Sequence, residues 1–467
     1  MRPSSSTSSG EGGSLFGPLV TSDAVALAVS DPAWVQAMLD AEAALARAQA
    51  RAGLIGEHDA EAIAACCRAE RIDVPAVGRA ATAAGNPVVP LVRTLTSLVG
   101  EPHGAYVHHG ATSQDILDTA MMLVVSRALR PVLDDLAAAS DACAELADRH
   151  RSTLLAGRTL LQQALPVTFG LKAAGWLVAL DDARLRLAEV RRERLAAQLG
   201  GAAGTLASLG AEGPRVVELF AAELGLAVPV VPWHTGRGRV AELAGGLGAV
   251  SGVAAKIAHD VVLLAQTEVG EATEGGGPDR GGSSTLPHKR NPVGAITTLA
   301  SARRAPALVA TLLAAMEQEH ERAAGWWQAE WEPLRDLFRV TGGAAHGIRE
   351  VVSGLEVHAD AMRANLDRTG GLLLAEHVTT ALTPKLGRLA AHERVQAACR
   401  TALSGERSLR SVLLDDPEVA AHLRPADVDT LLDPAGYLGA SDTFVERALA
   451  HHRAVAPSAP PPPPRRS

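Results

Sequence analysis

The chain has 467 residues, a formal net charge of −8 and four cysteines. That charge excludes a general nucleic-acid-binding surface. The absence of a CxxC pair excludes a disulfide framework and fits reduced thiols in a cytoplasmic protein. Hydrophobic residues make up 47% but aromatics only 3%, so Ala, Leu and Val must fill the core, which suits close-packed helices.

The opening stretch MRPSSSTSSGEGGS (1–14) lacks the apolar run of a signal peptide and is expected to be disordered. Residues 15–110 are expected to form a small helical N-terminal domain. It includes AWVQAMLDAEAALARAQARAGL, a helix with one apolar face and Gly53 near its end. Residues 111–365 are expected to form a central long-helix domain. There, TSQDILDTAMMLVVSRALRPVLDDLAAASDACAELADRH is one long helical stretch that Pro131 should kink or restart. Val240, Leu243, Leu247, Val250, Val253, Ile257, Val261 and Leu264 recur every three or four residues, one face of a single helix. GWLVALDDARLRLAEVRRERLAAQLGG and APALVATLLAAMEQEHERA read the same way. No strand alternation, internal repeat or uninterrupted membrane-spanning apolar run is read anywhere. Residues 366–452 are expected to form a C-terminal helical domain, and 453–467 a solvated proline-rich tail. Helices this long need partners to bury their stripes, which points to a bundle that associates with copies of itself.

Three segments concentrate polar chemistry. In VHHGATSQDILDT, Thr112 and Asp115 match a helix capping box. A helix N-terminus there offers free N–H groups to a carboxylate, beside the hydroxyls of Thr112 and Ser113 and the rings of His108 and His109. With no HExxH motif and no Cys/His cluster, no metal is expected. In GRTLLQQALPVTFG, the polar residues Thr159, Gln162 and Gln163 interrupt an apolar stretch, serving either core hydrogen bonding or a substrate. The third segment is the loop 270–293, GEATEGGGPDRGGSSTLPHKRNPV. Its glycines make it mobile, and Ser283, Ser284, Lys289, Arg290 and Asn291 suit an anion. The GxxxxGK[ST] spacing of a phosphate loop is missing. The segment is either a solvated loop or a lid over an acidic substrate.

GGSSTLPHKRNP resembles the signature loop of the fumarase/aspartase superfamily, with Leu286 where methionine is usual. HHGATSQD resembles its first motif and RTLLQQALP its second, all three in order and expected on long helices. The likeness spans roughly Leu15 to His452. SLFGPLVTSDAVALAVSD, GNPVVPLVRTLTSLV, WWQAEWEPL and YLGASDTFVERAL resemble the 3-carboxy-cis,cis-muconate cycloisomerase family within it. The resemblance implies an all-α, three-domain fold built on a long-helix bundle, tetrameric at its core, with sites composed from different subunits. It implies a small tricarboxylate substrate, no cofactor, no metal, and no membrane or nucleic-acid partner, in cytoplasmic aromatic catabolism through protocatechuate and the β-ketoadipate pathway. The reaction implied is addition of a carboxylate across a C=C bond of the same molecule, giving 4-carboxymuconolactone.

By the same resemblance, Ser283 transfers the proton to carbon. Lys289 and Asn291, with Thr112 and Ser113, stabilise an enediolate-like intermediate. His108 orients a carboxylate, Gln162 holds substrate with Thr159 and Ser284, and Arg290 and His288 add positive potential. The alternatives are adenylosuccinate lyase or another fumarate-releasing lyase and, more distantly, a catalytically silent helical scaffold. Adenylosuccinate lyases carry a catalytic histidine where this chain has Leu160, and an arginine where an ungapped count places Trp331. A departing nitrogen needs a proton. A carboxylate, with a pKa of about 4, is already ionised near neutrality and needs none.

Overall fold

Alanine-rich helices dominate the computed structural model, which describes residues 15–276, 281–405 and 407–455. Two units separate by their internal contacts. The first comprises Met1–Leu136, Asp182–Ala255 and Thr297–Gly347; the second comprises Ala137–Asp181, Lys256–Ile296 and Ile348–Ser467.

In the first unit, helix α1 (Asp31–Arg51) begins where the Ser30 hydroxyl accepts a bond from the Ala33 N–H, and Pro32 follows at a position needing no donor. Met38, Leu39 and Leu45, with the alanines from Ala37 to Ala48, form its buried face. Gly53, at φ +79°, turns the chain away just beyond its end. Helix α2 (Ser113–Arg149) runs 37 residues, about 55 Å at 1.5 Å per residue. It continues through Pro131, where a kink or a restart was expected. Ala128, Leu129, Val132 and Leu136 are wholly buried around that proline, and their burial outweighs the roughly 3 kcal/mol it costs in a helix interior.

Strand β1 (Leu154–Thr159) and strand β2 (Gln162–Thr168) lie in the second unit and pair antiparallel. This corrects the reading that no strands are present and that the second motif is helical. Helix α3 (Phe169–Glu193) stops short of the expected helical run. The next residues leave the helix because the backbone at Leu195 and Ala197 bonds that of Ala227. Helix α4 (Gly238–Leu264) matches the expected period: seven of the eight apolar positions are buried and Val253 is half-buried. Its 27 residues are long and apolar enough to cross a membrane, contrary to the reading that no segment is. Its buried stripe is that of a core helix in a close-packed protein.

Strand β3 (Ala272–Glu274) precedes the serine-bearing loop, and helix α5 (Val293–Ala302) follows it. Helix α6 (Ala305–Ala314) ends well before the expected Ala323, because EQEHER offers no apolar face beyond Met316. Helix α7 (Trp331–Ser353) leads to strand β4 (Leu355–Val357), which pairs antiparallel with β3. Helices α8 (Ala375–Leu386) and α9 (Arg388–Ser404) share a core of Val378, Leu382, Val395, Leu409 and Leu413. The last helix, α10 (Ser441–Val455), takes in residues 453–455, which were assigned to the tail. The rest of the expected tail and residues 1–14 lie outside the described residues.

The β1–β2 turn is Leu160–Leu161, with φ of 50° and 66°. Two left-handed central residues are what a two-residue hairpin of this twist requires, and Asn-Gly is its usual sequence. Leucine in that region costs roughly 1–2 kcal/mol per residue. The double substitution Leu160→Asn with Leu161→Gly is expected to raise the thermal midpoint, measured by calorimetry, despite the added entropy of glycine in the unfolded chain.

Candidate active site

In the first unit the chain enters α2 through two left-handed residues, His108 (φ 61°) and Gly110 (φ 72°). A Cβ at Gly110 would lie 2.4 Å from the Leu209 side chain, so only glycine fits. The expected capping box is half present: the Asp115 carboxylate accepts the Thr112 N–H at 3.0 Å. Asp115 does more than cap. Fully buried, it also accepts the N–H groups of Gly200 and Gly201, each at 2.9 Å, and lies 2.7 Å from His234 Nε2. Four donors from three chain segments meet on one carboxylate, which meets the requirement for burying it.

The next turn of α2 repeats the device. Asp118 accepts two bonds from Arg237 and one from Trp327 Nε1, and Arg237 reaches on to Glu330. Burial alone would push the Arg237 guanidinium toward neutrality, but the two carboxylates outweigh it and raise its pKa. Burial pushes the Glu330 carboxyl up, against the pull of Arg237. Arg322 donates to the carbonyls of Gly201 and Ala202 and to Gln114 Oε1, tying the HER triplet to the same knot.

Above the knot stand Thr112 and Ser113. Both are half-buried, and neither hydroxyl has a hydrogen-bond partner among the described residues. They sit at the N-terminal end of a 37-residue helix, where free N–H groups and the helix dipole favour an anion. His108 Nδ1 lies 2.6 Å from Glu42 Oε1, and His109 is exposed. Burial lowers the His108 pKa, but the charge and hydrogen bond of Glu42 outweigh it, with Asp115 adding, so the ring titrates above its ordinary value.

The second unit holds the other two segments. Thr159 and Gln162 are exposed on either side of the hairpin turn, and Leu160 at its tip is 96% exposed. Gln163 turns inward and donates to the Asn365 carbonyl at 3.1 Å. Gln163 thus takes the internal hydrogen-bonding role, while Gln162 is left exposed. Arg158 makes two bonds to the fully buried Glu271, at 2.7 and 2.8 Å, and Asn365 Nδ2 donates to the same carboxylate. Glu271 opens the segment leading into the serine loop, so the hairpin and the root of the loop are joined.

The loop's other end is equally fixed. Glu274 accepts the N–H groups of Gly294 and Ala295 at the start of α5. The Gly281 carbonyl accepts both the backbone N–H and Nδ2 of Asn291, closing a neck. Within that neck, Ser283 Oγ accepts the N–H groups of Thr285 at 3.2 Å and Leu286 at 3.0 Å. Two backbone donors on one hydroxyl oxygen stabilise negative charge there and ease loss of its proton relative to a serine in water. Ser284, His288, Lys289 and Arg290 are exposed on the same loop, and residues 277–280 lie outside the described residues.

The sequence-predicted residues thus form two groups. His108, Thr112 and Ser113 lie together in the first unit; Thr159, Gln162, Ser283, Ser284, His288, Lys289, Arg290 and Asn291 belong to the second. Sequence reasoning missed Glu42, Arg158, Arg237 and Glu271. Glu42 left a signal, being a carboxylate on a helix face whose pattern asks for an apolar residue. A cavity of about 280 Å³ in the first unit is lined by Trp34, Met38, Val77, Leu117 and Trp331 and by none of the predicted residues. Its walls are mostly apolar and its Arg335 is paired with Asp31, which does not suit a polyanion. Among the described residues no group of three or more His, Cys, Asp or Glu is placed to hold a metal.

Residues 19–306 match the family model described as Lyase, and residues 371–448 match that of the adenylosuccinate lyase C-terminus. The chain belongs to the lyase family of the fumarase/aspartase superfamily. It is 50% identical over 429 residues to the 3-carboxy-cis,cis-muconate cycloisomerase of Pseudomonas aeruginosa, covering 91% of this chain and 94% of that one. It is 47% identical over 446 residues to the nitrosuccinate lyase of Streptomyces davaonensis, covering 93% and 94%. The crystal structure of 3-carboxy-cis,cis-muconate lactonizing enzyme from Pseudomonas putida matches with a TM-score of 0.90 at 45% identity, over 95% of this chain and 100% of that one.

Two substitutions test this geometry. Asp115→Asn leaves at least one of its four donors facing an amide NH2 group, and about 3 kcal/mol of stability is expected to be lost, read as a lower unfolding midpoint. A Cβ at Gly281 would lie 2.2 Å from the Asn291 carbonyl oxygen. Gly281→Ala is therefore expected to open the neck, exposing a protease cut between residues 281 and 291 while global melting stays unchanged.

Proposed function

We propose that the chain closes 3-carboxy-cis,cis-muconate to 4-carboxymuconolactone. One substrate carboxylate adds across a C=C bond, and the carbon alpha to another carboxylate gains a proton. The observation that carries this reading is a complete serine loop combined with leucine at position 160. The catalyst manages a proton on carbon and offers no acid to a departing nitrogen. That division suits a reaction in which the group joining or leaving carbon is already a stable anion. The similarity to cycloisomerases over nearly the whole chain supports the same reading.

In this mechanism Ser283 delivers the proton to carbon, and removes it in reverse. The N–H groups of Thr285 and Leu286 lower the cost of the alkoxide left behind. Lys289 supplies positive charge to the enediolate, with Arg290 and His288 adding potential around it. Asn291 holds the neck and leaves one Nδ2 hydrogen for the intermediate. The N-terminal end of α2, with Thr112, Ser113 and His108, receives a second carboxylate. Gln162, Thr159 and Ser284 hold the remaining polar edge. The segments come together as composite sites in a homotetramer, and the protein works in the cytoplasm with its cysteines reduced.

A second reading is favoured by the similarity to nitrosuccinate lyase. Nitrosuccinate would expel nitrite, also a stable anion that needs no acid, so Leu160 suits it equally. Adenylosuccinate fits less well, because Leu160 supplies no acid to its leaving nitrogen.

Incubation with each substrate separates these readings. Loss of diene ultraviolet absorbance from 3-carboxymuconate is expected, without release of fumarate from adenylosuccinate or of nitrite from nitrosuccinate. Efficient nitrite release with an inert muconate would transfer the assignment to the second reading. Ser283→Ala is expected to lower turnover by about 10²–10⁴-fold with an unchanged circular dichroism spectrum. Mixed tetramers of Ser283→Ala and His108→Gln subunits are expected to regain activity that neither variant has alone, as composite sites require.

A further inference from the structure

Glu42 sits on α1, only 1% exposed, on a face made mostly of Ala, Leu, Met and Val. Its Oε1 meets His108 Nδ1 at 2.6 Å, and its Oε2 is buried without a hydrogen-bond partner among the described residues. An unpaired buried carboxylate oxygen costs stability, and a purely structural position would avoid it. Seven residues along the same face, Gln49 is wholly buried and donates to the His109 carbonyl at 2.6 Å. Helix α1 therefore grips His108, the first residue of the left-handed step that leads into α2, and the carbonyl of its neighbour His109.

With Nδ1 committed to Glu42, the second ring hydrogen of His108 is on Nε2. We infer that Glu42 is a positioning residue: it fixes the His108 ring as a cationic donor through Nε2–H and so sets the anion affinity of the α2 N-terminal end. The inference rests on the proposal that this end of α2 binds a substrate carboxylate. The charged groups facing His108 are Glu42 from α1 and Asp115 from α2. Both favour the imidazolium and together overcome the effect of burial. Because the folded-state pKa is raised, the ion pair is complete below pH about 6.5 and disappears as the pH climbs through the folded-state value.

The test uses the full-length protein, with citrate as a tricarboxylate probe that no reading of the reaction consumes. Its affinity is measured by calorimetry between pH 6 and 9, beside kcat and KM on 3-carboxymuconate. Wild type is expected to lose citrate affinity along an alkaline limb. Glu42→Gln, which keeps shape but not charge, is expected to move that limb down by about one pH unit. Citrate affinity near pH 8 should fall about tenfold. KM should rise more than kcat falls, and Glu42→Asp, which keeps the charge on a shorter arm, should move the limb less than Glu42→Gln does. A Glu42→Gln protein with wild-type melting and an unmoved limb overturns the inference. If Glu42→Gln does not fold, the decision passes to Glu42→Asp and His108→Gln. Glu42→Asp is then expected to weaken citrate binding in wild type and to have no further effect in a His108→Gln background. Equal weakening in both backgrounds overturns the inference. Wild type that binds no citrate at any pH overturns the carboxylate-site reading itself, and the inference with it.

Discussion

The Asp115 carboxylate is the constraint on which the first unit's chemistry depends. Buried without exposure, it must collect donors, and it takes them from the start of its own helix, from the Gly200–Gly201 turn and from His234. Those three segments are distant in sequence, so satisfying one charge fixes where the α2 N-terminus lies. One turn further, Asp118 does the same with Arg237 and Trp327. Hydrophobic burial supplies the bulk of the stability, but it is non-directional. The carboxylates convert it into a defined orientation for Thr112 and Ser113.

The second unit solves a different problem: it must hold an exposed loop without letting its ends wander. Glu271 and Glu274, three residues apart, bind Arg158 on one side and the start of α5 on the other. The doubly bonded Gly281 carbonyl then pinches the loop to its working length. Ser283 lies inside the pinch beside its two backbone donors, while the cations around it are exposed.

Much of this was legible in the sequence for identifiable reasons. The three-or-four-residue period from Val240 to Leu264 located α4, because a helix with one buried face has no other way to arrange its side chains. The glycines, serines and cations of 281–291 marked a loop for the same kind of reason. The hairpin was not legible. Its strands do not alternate cleanly, and its turn carries two leucines where Asn-Gly would have announced it. Pro131 does not end the helix, because propensity is a local quantity and the burial around it is not. Glu42 breaks the apolar pattern of its helix face, but its role stayed hidden because its partner lies 66 residues away, a distance at which no periodicity speaks.

The hairpin tip has one more implication. Leu160 makes no core contact of its own chain, being almost wholly exposed in a turn whose geometry is set by the strands below it. A change of side chain there disturbs neither folding nor the anchored roots of the neighbouring segments. Selection can rewrite that position with little penalty to the fold. The tip of the hairpin can thus diverge one codon at a time on an otherwise unaltered scaffold.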